Sequence, residues 1–260
     1  MNWAVRRRFL YVLITFLAAG TLFAIVFRNV LYQAPTCFDS KQNGEEVGID
    51  CGGGCARYCP NTLALPKVRW KRSFPIASGF AHAVASIEHN YPNTGLRSLT
   101  YEFTLLDANN ERITTRRGTT FIGGHGRSAI IEPLIPVGKQ VPVVTQFEIL
   151  SSDSWEKFPA GVDDSTFKVE RTDLETLVDA TRLTATLTNQ SASVLRNVQV
   201  IAILYDTKDN AITASKTELQ SVASLGRVTA YFTWDFALPR DVARIEIIPR
   251  VNPFTDVIPQ

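Results

Sequence analysis

The residues best equipped for chemistry lie close together. Cys37, Cys51, Cys55 and Cys59 are interleaved with the oxygen-bearing side chains of Asp39, Asn43, Glu45 and Asp50. Four thiolates can hold zinc in a reducing compartment, whereas thiols outside the cytoplasm oxidise in pairs. The intervals between successive cysteines are thirteen, three and three residues, without the C-x-x-C ribs of a zinc ribbon, which favours two disulfides. Three connectivities satisfy two disulfides, and the spacing does not choose among them. Gly52, Gly53 and Gly54 let the chain turn tightly around the sulfurs. Closing a loop of about 15 residues is worth roughly 3 kcal/mol, which substitutes for a core that so short and polar a segment cannot build. The oxygens of Asp39, Asn43, Glu45 and Asp50 make them candidate calcium ligands. Their spacing is not that of an EF-hand loop, and the same residue types populate any exposed turn.

The arrangement Cys37, Asp39, Asn43, Gly44, Glu45, Asp50, Cys51, Gly52, Gly53, Cys55, Cys59 resembles a short cysteine motif of bacterial surface and secreted proteins. It departs from that motif in having three rather than two residues before the last cysteine. The resemblance implies an envelope setting and no activity.

Elsewhere the chain is sparing with reactive groups. His82 and His89 are seven residues apart, so a regular strand turns them to opposite faces. His125 lies in the glycine-rich stretch 123–127, where backbone amides and Arg127 can approach an anion. That stretch lacks the Lys-Ser/Thr ending of a phosphate-binding loop and is not followed by a helical pattern, so an exposed loop is the expected reading. No G-x-S-x-G, H-E-x-x-H or Walker sequence occurs, so no catalytic residue is assigned and the chain is read as a non-enzyme. The basic stretch 67–72 carries Trp70 and reads as a strand face or an interdomain contact. Trp70, Trp155 and Trp234 can be sugar platforms, but packing is the commoner role of tryptophan. Trp155, in the connecting stretch 151–161 with Pro159 and Gly161, is expected to wedge two domains together in a semi-fixed tandem.

These groups need elements to hold them. Residues 9–27 contain no charge, and their only hydroxyls on Ser or Thr are those of Thr15 and Thr21. Nineteen residues at about 1.5 Å each reach roughly 28 Å, close to the thickness of a bilayer core. A cleaved signal has a shorter apolar region ending in a small-x-small site, which is lacking here. The expectation is therefore a retained signal anchor at 9–28 after a cytoplasmic N-terminus at 1–8. Arg6, Arg7 and Arg8 precede the span and only Arg28 follows it, which places the rest of the chain outside the cytoplasm. Setting those four arginines aside leaves 23 basic and 25 acidic residues, so no nucleic-acid partner is expected.

After the disulfide-rich segment, 33–62, short alternating apolar runs are separated by Asn, Asp, Gly and Pro, the pattern of antiparallel sheets. The run 99–107 recurs as 198–206, a shift of 99 residues, and His89-Asn90 aligns with Thr188-Asn189 at the same shift. Gly126-Arg127 likewise recurs as Gly226-Arg227. The fold class is thus mainly β: an N-terminal transmembrane helix, then two antiparallel sandwiches of immunoglobulin or fibronectin type III character at 66–158 and 165–260. Val200 to Leu204 is apolar at both parities, as a central strand requires. The strand ends Phe103-Thr104-Leu105-Leu106-Asp107 and Ala202-Ile203-Leu204-Tyr205-Asp206 resemble the F-x-L-Y-D motif of small bacterial sandwich domains. Each departs at one position, Leu106 or Ala202, and both lack that family's turn glycine. The residues carrying the motif are Phe103, Leu105, Asp107, Leu204, Tyr205 and Asp206. The phenylalanine and leucines belong in the core, and the aspartates should accept backbone amides two residues on and set the turn.

These features predict a non-catalytic scaffold or protein-interaction module in a bacterial cell envelope. Its partners would be the bilayer and another envelope protein or a cell-wall component. The alternative is a ligand-binding surface protein for a glycan or calcium. No cofactor is expected apart from that calcium.

Overall fold

The computed structural model describes residues 3–31, 34–76, 79–159, 167–238 and 241–258. The chain forms two compact units, residues 1–55 and 56–260, and the boundary falls inside the cysteine-rich segment.

In the first unit, helix α1 runs Trp3–Leu31. It has no acidic residue in its first turn and carries Arg28 in its last. Thr15 donates to the carbonyls of Tyr11 and Val12 at 2.9 Å, and Thr21 to those of Leu17 and Ala18 at 3.0 and 2.9 Å. Both hydroxyls are therefore satisfied within the helix, as an apolar solvent requires. The stretch Trp3–Arg28 is long and apolar enough to cross a membrane, as an anchor or as a signal sequence.

The second unit is built of fourteen strands, joined in four antiparallel sheets among the described residues. Strands β3 (Thr94–Leu106), β4 (Arg112–Ile122) and β6 (Val144–Ser152) form an outer sheet in the order β4-β3-β6, with β7 (Glu156–Lys157) also paired to β3. Strands β1 (Lys67–Pro75), β2 (Phe80–His89) and β5 (Gly126–Pro136) form the second sheet, ordered β1-β2-β5. The third contains β10 (Val194–Tyr205), β11 (Ala211–Val222) and β13 (Arg244–Arg250) in the order β11-β10-β13, with β14 (Val257–Ile258) on β10. The fourth contains β8 (Phe167–Thr176), β9 (Thr181–Asn189) and β12 (Arg227–Trp234), ordered β12-β9-β8.

Alternation explains the packing. Odd-numbered β2 residues from Ala81 to Ile87 meet Leu99, Tyr101, Phe103 and Leu105 of β3 in the core of the first sandwich. Leu183, Ala185 and Leu187 of β9 meet Val198, Val200, Ala202 and Leu204 of β10 in the core of the second. A third apolar layer lies between the sandwiches. There Phe74, Val84, Ala129 and Ile131 of the second sheet face Ile201, Ile203, Tyr205, Ala211 and Ile248 of the third. The apolar run from Val200 to Leu204 is thus covered on both faces: even positions fill the sandwich and odd positions fill the junction. Each large aliphatic side chain so buried contributes about 1.5–3 kcal/mol. Docking of linked sandwiches sacrifices only their relative rotation, so this layer holds them as one four-layer body.

Both central strands end alike. The register slips by one residue at Ile113 of β4, opposite Leu105 and Leu106 of β3, and at Ile212 of β11, opposite Leu204 and Tyr205 of β10. Asp107 accepts the amides of Asn109 and Glu111 at 2.8 Å, and Asp206 those of Lys208 and Asn210 at 2.9 Å. The turn residues Asn110 and Asp209 both adopt positive φ. Asparagine and aspartate tolerate that left-handed conformation best after glycine. Register corrects one sequence alignment. His89 pairs with Gly126 and Asn189 with Gly226, so His89 occupies the place of Asn189 rather than Thr188.

The connecting stretch also differs from expectation. Ser151 and Ser152 belong to β6, and β7 pairs with Thr94 and Gly95. Trp155 is 5% exposed in the core of the first sandwich, where its ring meets His89 and Tyr91. It therefore closes one sandwich instead of wedging two. Its apolar bulk finds a core edge within reach because the amide of Tyr58 donates to its carbonyl and holds it there, at 2.8 Å. Gly161 and the rest of 160–166 lie outside the described residues.

Candidate functional site

A set of polar side chains borders the apolar seam between the sandwiches. Its centre is the face that β10 and β13 turn toward the first sandwich. Cross-strand pairing sets Tyr205 beside Arg244, Ile203 beside Glu246 and Ile201 beside Ile248. The Tyr205 hydroxyl donates to Glu246 at 2.7 Å, and its ring lies 3.6 Å from the Arg244 guanidinium carbon. Burial, reinforced by the Glu246 carboxylate, holds the Tyr205 hydroxyl well above the ordinary phenol range. Arg244 is itself held by Asp209 at 2.6 Å and Glu246 at 3.2 Å. Trp70 from the basic stretch meets Tyr205 edge-on at 6.3 Å, and Arg72 donates to the Ala211 carbonyl at 2.6 Å. Trp70 and Arg72 thus serve the interdomain contact. Trp234 lies in the second sandwich core, so none of the three tryptophans in the strand-rich unit is an open sugar platform.

Arg250, at the end of β13, crosses the seam. It donates to the carbonyls of Ala129 and Phe121 at 2.9 and 2.6 Å and to the Thr120 hydroxyl at 3.0 Å. Its guanidinium also lies over the Phe121 ring. These partners are neutral, and burial lowers its pKa to about 10, so it remains charged at neutral pH.

Beside Arg250 the seam opens into a cleft of about 280 Å³, walled by Gly124, His125, Arg127, Phe167, Glu246 and the arginine itself. The loop from β4 to β5 forms one wall. A Cβ at Gly123 would stand 3.0 Å from Pro253 Cδ and 3.3 Å from the Val251 carbonyl, a tight approach that these neighbours could accept only by giving way a little. Gly124 and Gly126 both take positive φ, which glycine adopts without steric cost. His125 and Arg127 are both exposed on this loop, as expected, and they also border the cleft. Arg127 reaches toward Glu246 at 3.8 Å, with its side chain 60% exposed. His82 and His89 take opposite faces of β2: His82 accepts the amide of Leu134 at 3.1 Å, and His89 is buried in the core.

The cysteine segment is held together by its own hydrogen bonds. Cys37 and Cys55 are bonded to each other, Cys51 and Cys59 are also disulfide-bonded, and no cysteine is free. Asp50 accepts the amides of Asp39 at 2.9 Å and Ser40 at 3.0 Å. Asp39 accepts the Asn43 side chain at 2.8 Å, and this bond lowers its pKa. Glu45 borders a small hollow with Pro35 and Gly54. Gly53 cannot carry a Cβ, which would run into the Glu45 carbonyl. The four calcium candidates thus serve turns or line a hollow. Among the described residues, the one group of convergent His, Cys, Asp or Glu ligand atoms is Cys37, Glu46 and Cys55, and its two sulfurs are already joined.

Phe103, Leu105 and Leu204 lie in the two sandwich cores, Asp107 and Asp206 cap their turns, and Tyr205 faces the seam. Sequence reasoning missed Glu246 and Arg250 as parts of a site. Their one legible signal was charge within the otherwise apolar run Ile245 to Val251.

No family model matches this chain, and no curated protein matches it. Among solved structures it is similar to a red sea bream transglutaminase at 9% identity and TM-score 0.24, covering 72% of this chain and 31% of that one. A β-glucuronidase of glycoside hydrolase family 2 gives 8% identity and TM-score 0.27, covering 88% and 28%. A family 2 glycosyl hydrolase from Bacteroides cellulosilyticus gives 8% and 0.24, covering 73% and 31%. The chain thus spans about a third of the length of these structures.

Proposed function

We propose that this chain is a non-catalytic scaffold or protein-interaction module, anchored by α1 in a bacterial cell envelope and displayed outside the cytoplasm. The observation that carries the reading is the buried layer between the sandwiches, which packs residues of both into one apolar cluster within a single compact unit. A body that presents the same outer surfaces in one arrangement suits the holding of a partner better than a pair of free domains would. The oxidised cysteines and the excess of arginine before the apolar helix support an extracytoplasmic placement.

The sandwiches are two copies of one F-x-L-Y-D-like domain in this reading. Its support is the matched register slip and aspartate cap at the ends of β3 and β10, and the matched places of His89 and Asn189. The partner is another envelope protein or a cell-wall component.

The test is cross-linking of the full chain in its own cells, followed by purification in detergent and identification of the attached proteins or glycan. A reproducible partner, lost when residues 56–260 are replaced by an unrelated sandwich, is expected. If the chain emerges with no partner under conditions that capture known envelope complexes, the scaffold reading fails. Protease added to spheroplasts should remove the strand-rich unit, and protection would reverse the orientation.

A further inference from the structure

We propose that the seam cleft binds a small ligand through a carboxylate or phosphate group, with Arg127 as the reaching side chain. This goes beyond the scaffold reading and does not depend on it.

The argument is one of charge in a confined space. Among the described residues, Arg127 and Arg250 line the cleft with Glu246, and Arg244 stands behind Glu246 with Asp209. Those carboxylates are already engaged. Asp209 takes Arg244 at 2.6 Å, while Glu246 accepts Tyr205 at 2.7 Å and Arg244 at 3.2 Å. Arg127 is left with a 3.8 Å approach to Glu246. That separation is too long for a hydrogen bond. Arg250 is 8% exposed, and the oxygens it bonds are neutral. A buried positive charge without a counter-charge is costly, and an anion in the adjoining cleft offsets that cost.

The cleft also has the form of a small-molecule site. Its volume is about 280 Å³. That is near the lower end of the range for small-molecule sites, roughly 300–1,000 Å³. Phe167 and Ile247 offer apolar walls for the body of the ligand, and the polar groups converge on one end. Arg127 carries the proposal because a planar guanidinium can meet a carboxylate or phosphate with two parallel bonds, and its side chain borders the cleft while 60% exposed.

The experiment is isothermal titration of the detergent-solubilised full chain, disulfides intact, with glucuronate and separately with inorganic phosphate. Chloride is kept low and constant. Saturable binding of either probe, one per chain, is expected, and the probe that binds identifies the anion class. Arg127→Gln should weaken it at least tenfold without moving the melting temperature. Arg117→Gln, which removes an exposed guanidinium paired with Glu102 on the outer sheet, should bind as the unaltered chain does. The proposal is overturned if neither probe saturates. It is equally overturned if Arg127→Gln binds as well as the parent, or if Arg117→Gln weakens binding as much. Loss of a protein partner in cells would leave this result untouched, so the two readings fail separately.

Discussion

The guanidinium of Arg250, carried on the last long strand of the second sandwich, donates to the backbone carbonyl of Ala129 in the first at 2.9 Å, across 121 residues of sequence. With Phe121 and Thr120 it completes a set of acceptors on the first sandwich. Arg250→Met keeps most of the volume but leaves those acceptors without the guanidinium, at a cost of about 2–4 kcal/mol. Urea unfolding followed by tryptophan fluorescence should show this loss, and a change under about 0.5 kcal/mol would mean that the bonds contribute little. Arg250→Lys should recover only part, because an ammonium cannot span the same acceptors.

The aspartates that end β3 and β10 each accept two backbone amides. Asp206→Ala and Asp107→Ala should each destabilise the chain by roughly 1–2 kcal/mol, the usual cost of leaving such donors without a charged acceptor. Asp206 is the more buried, at 6% exposed, so its replacement should cost more. Equal and negligible effects in denaturant titrations would show that the turns form without the caps.

His89 and His82 both have pKa values lowered from 6.5 by burial. The sign follows from linkage. Between the lowered folded value and 6.5 the unfolded chain binds more protons, so stability falls as pH drops through that window. Above pH 6.5 this contribution is fully present. Melting temperatures from about pH 8 down to about pH 5 should therefore decline, with a shallower slope in His89→Asn, which copies the residue at the matching place of the second sandwich. An unchanged slope would remove His89 from the account.

Closure of the 18-residue separation between Cys37 and Cys55 is worth about 3 kcal/mol to the local fold. Alkylation of the unfolded, unreduced chain should label no thiol, and reduction should expose four. Proteolysis of the reduced chain should then cut first within 37–59, while the sandwiches survive. Protection of that segment after reduction would mean that its hydrogen bonds suffice.

Much of this fold was legible because its signals are local. The charge-free run of α1, the period-two alternation of β9 and the aspartates closing the turns each speak through neighbours a few residues away. The double-sided apolar pattern of β10 was also readable, as a strand covered on both faces. What covers its second face was not, because that partner is Phe74, Val84 and Ile131, far away in the chain. Cys37–Cys55 was one pairing among three for the same reason.

The candidate site separates the two kinds of information most clearly. Composition and order alone determined that an apolar helix precedes clustered cysteines and two sets of antiparallel strands, and that a glycine-rich loop carries His125 and Arg127. Only tertiary structure decided that this loop meets Glu246 and Arg250 across a buried seam, and that Trp155 closes one sandwich core. Periodicity reports which face of an element is apolar, since each residue's side is set by its own backbone. It cannot report which distant face will cover it, because that depends on shape and charge matched between segments that the chain order keeps apart.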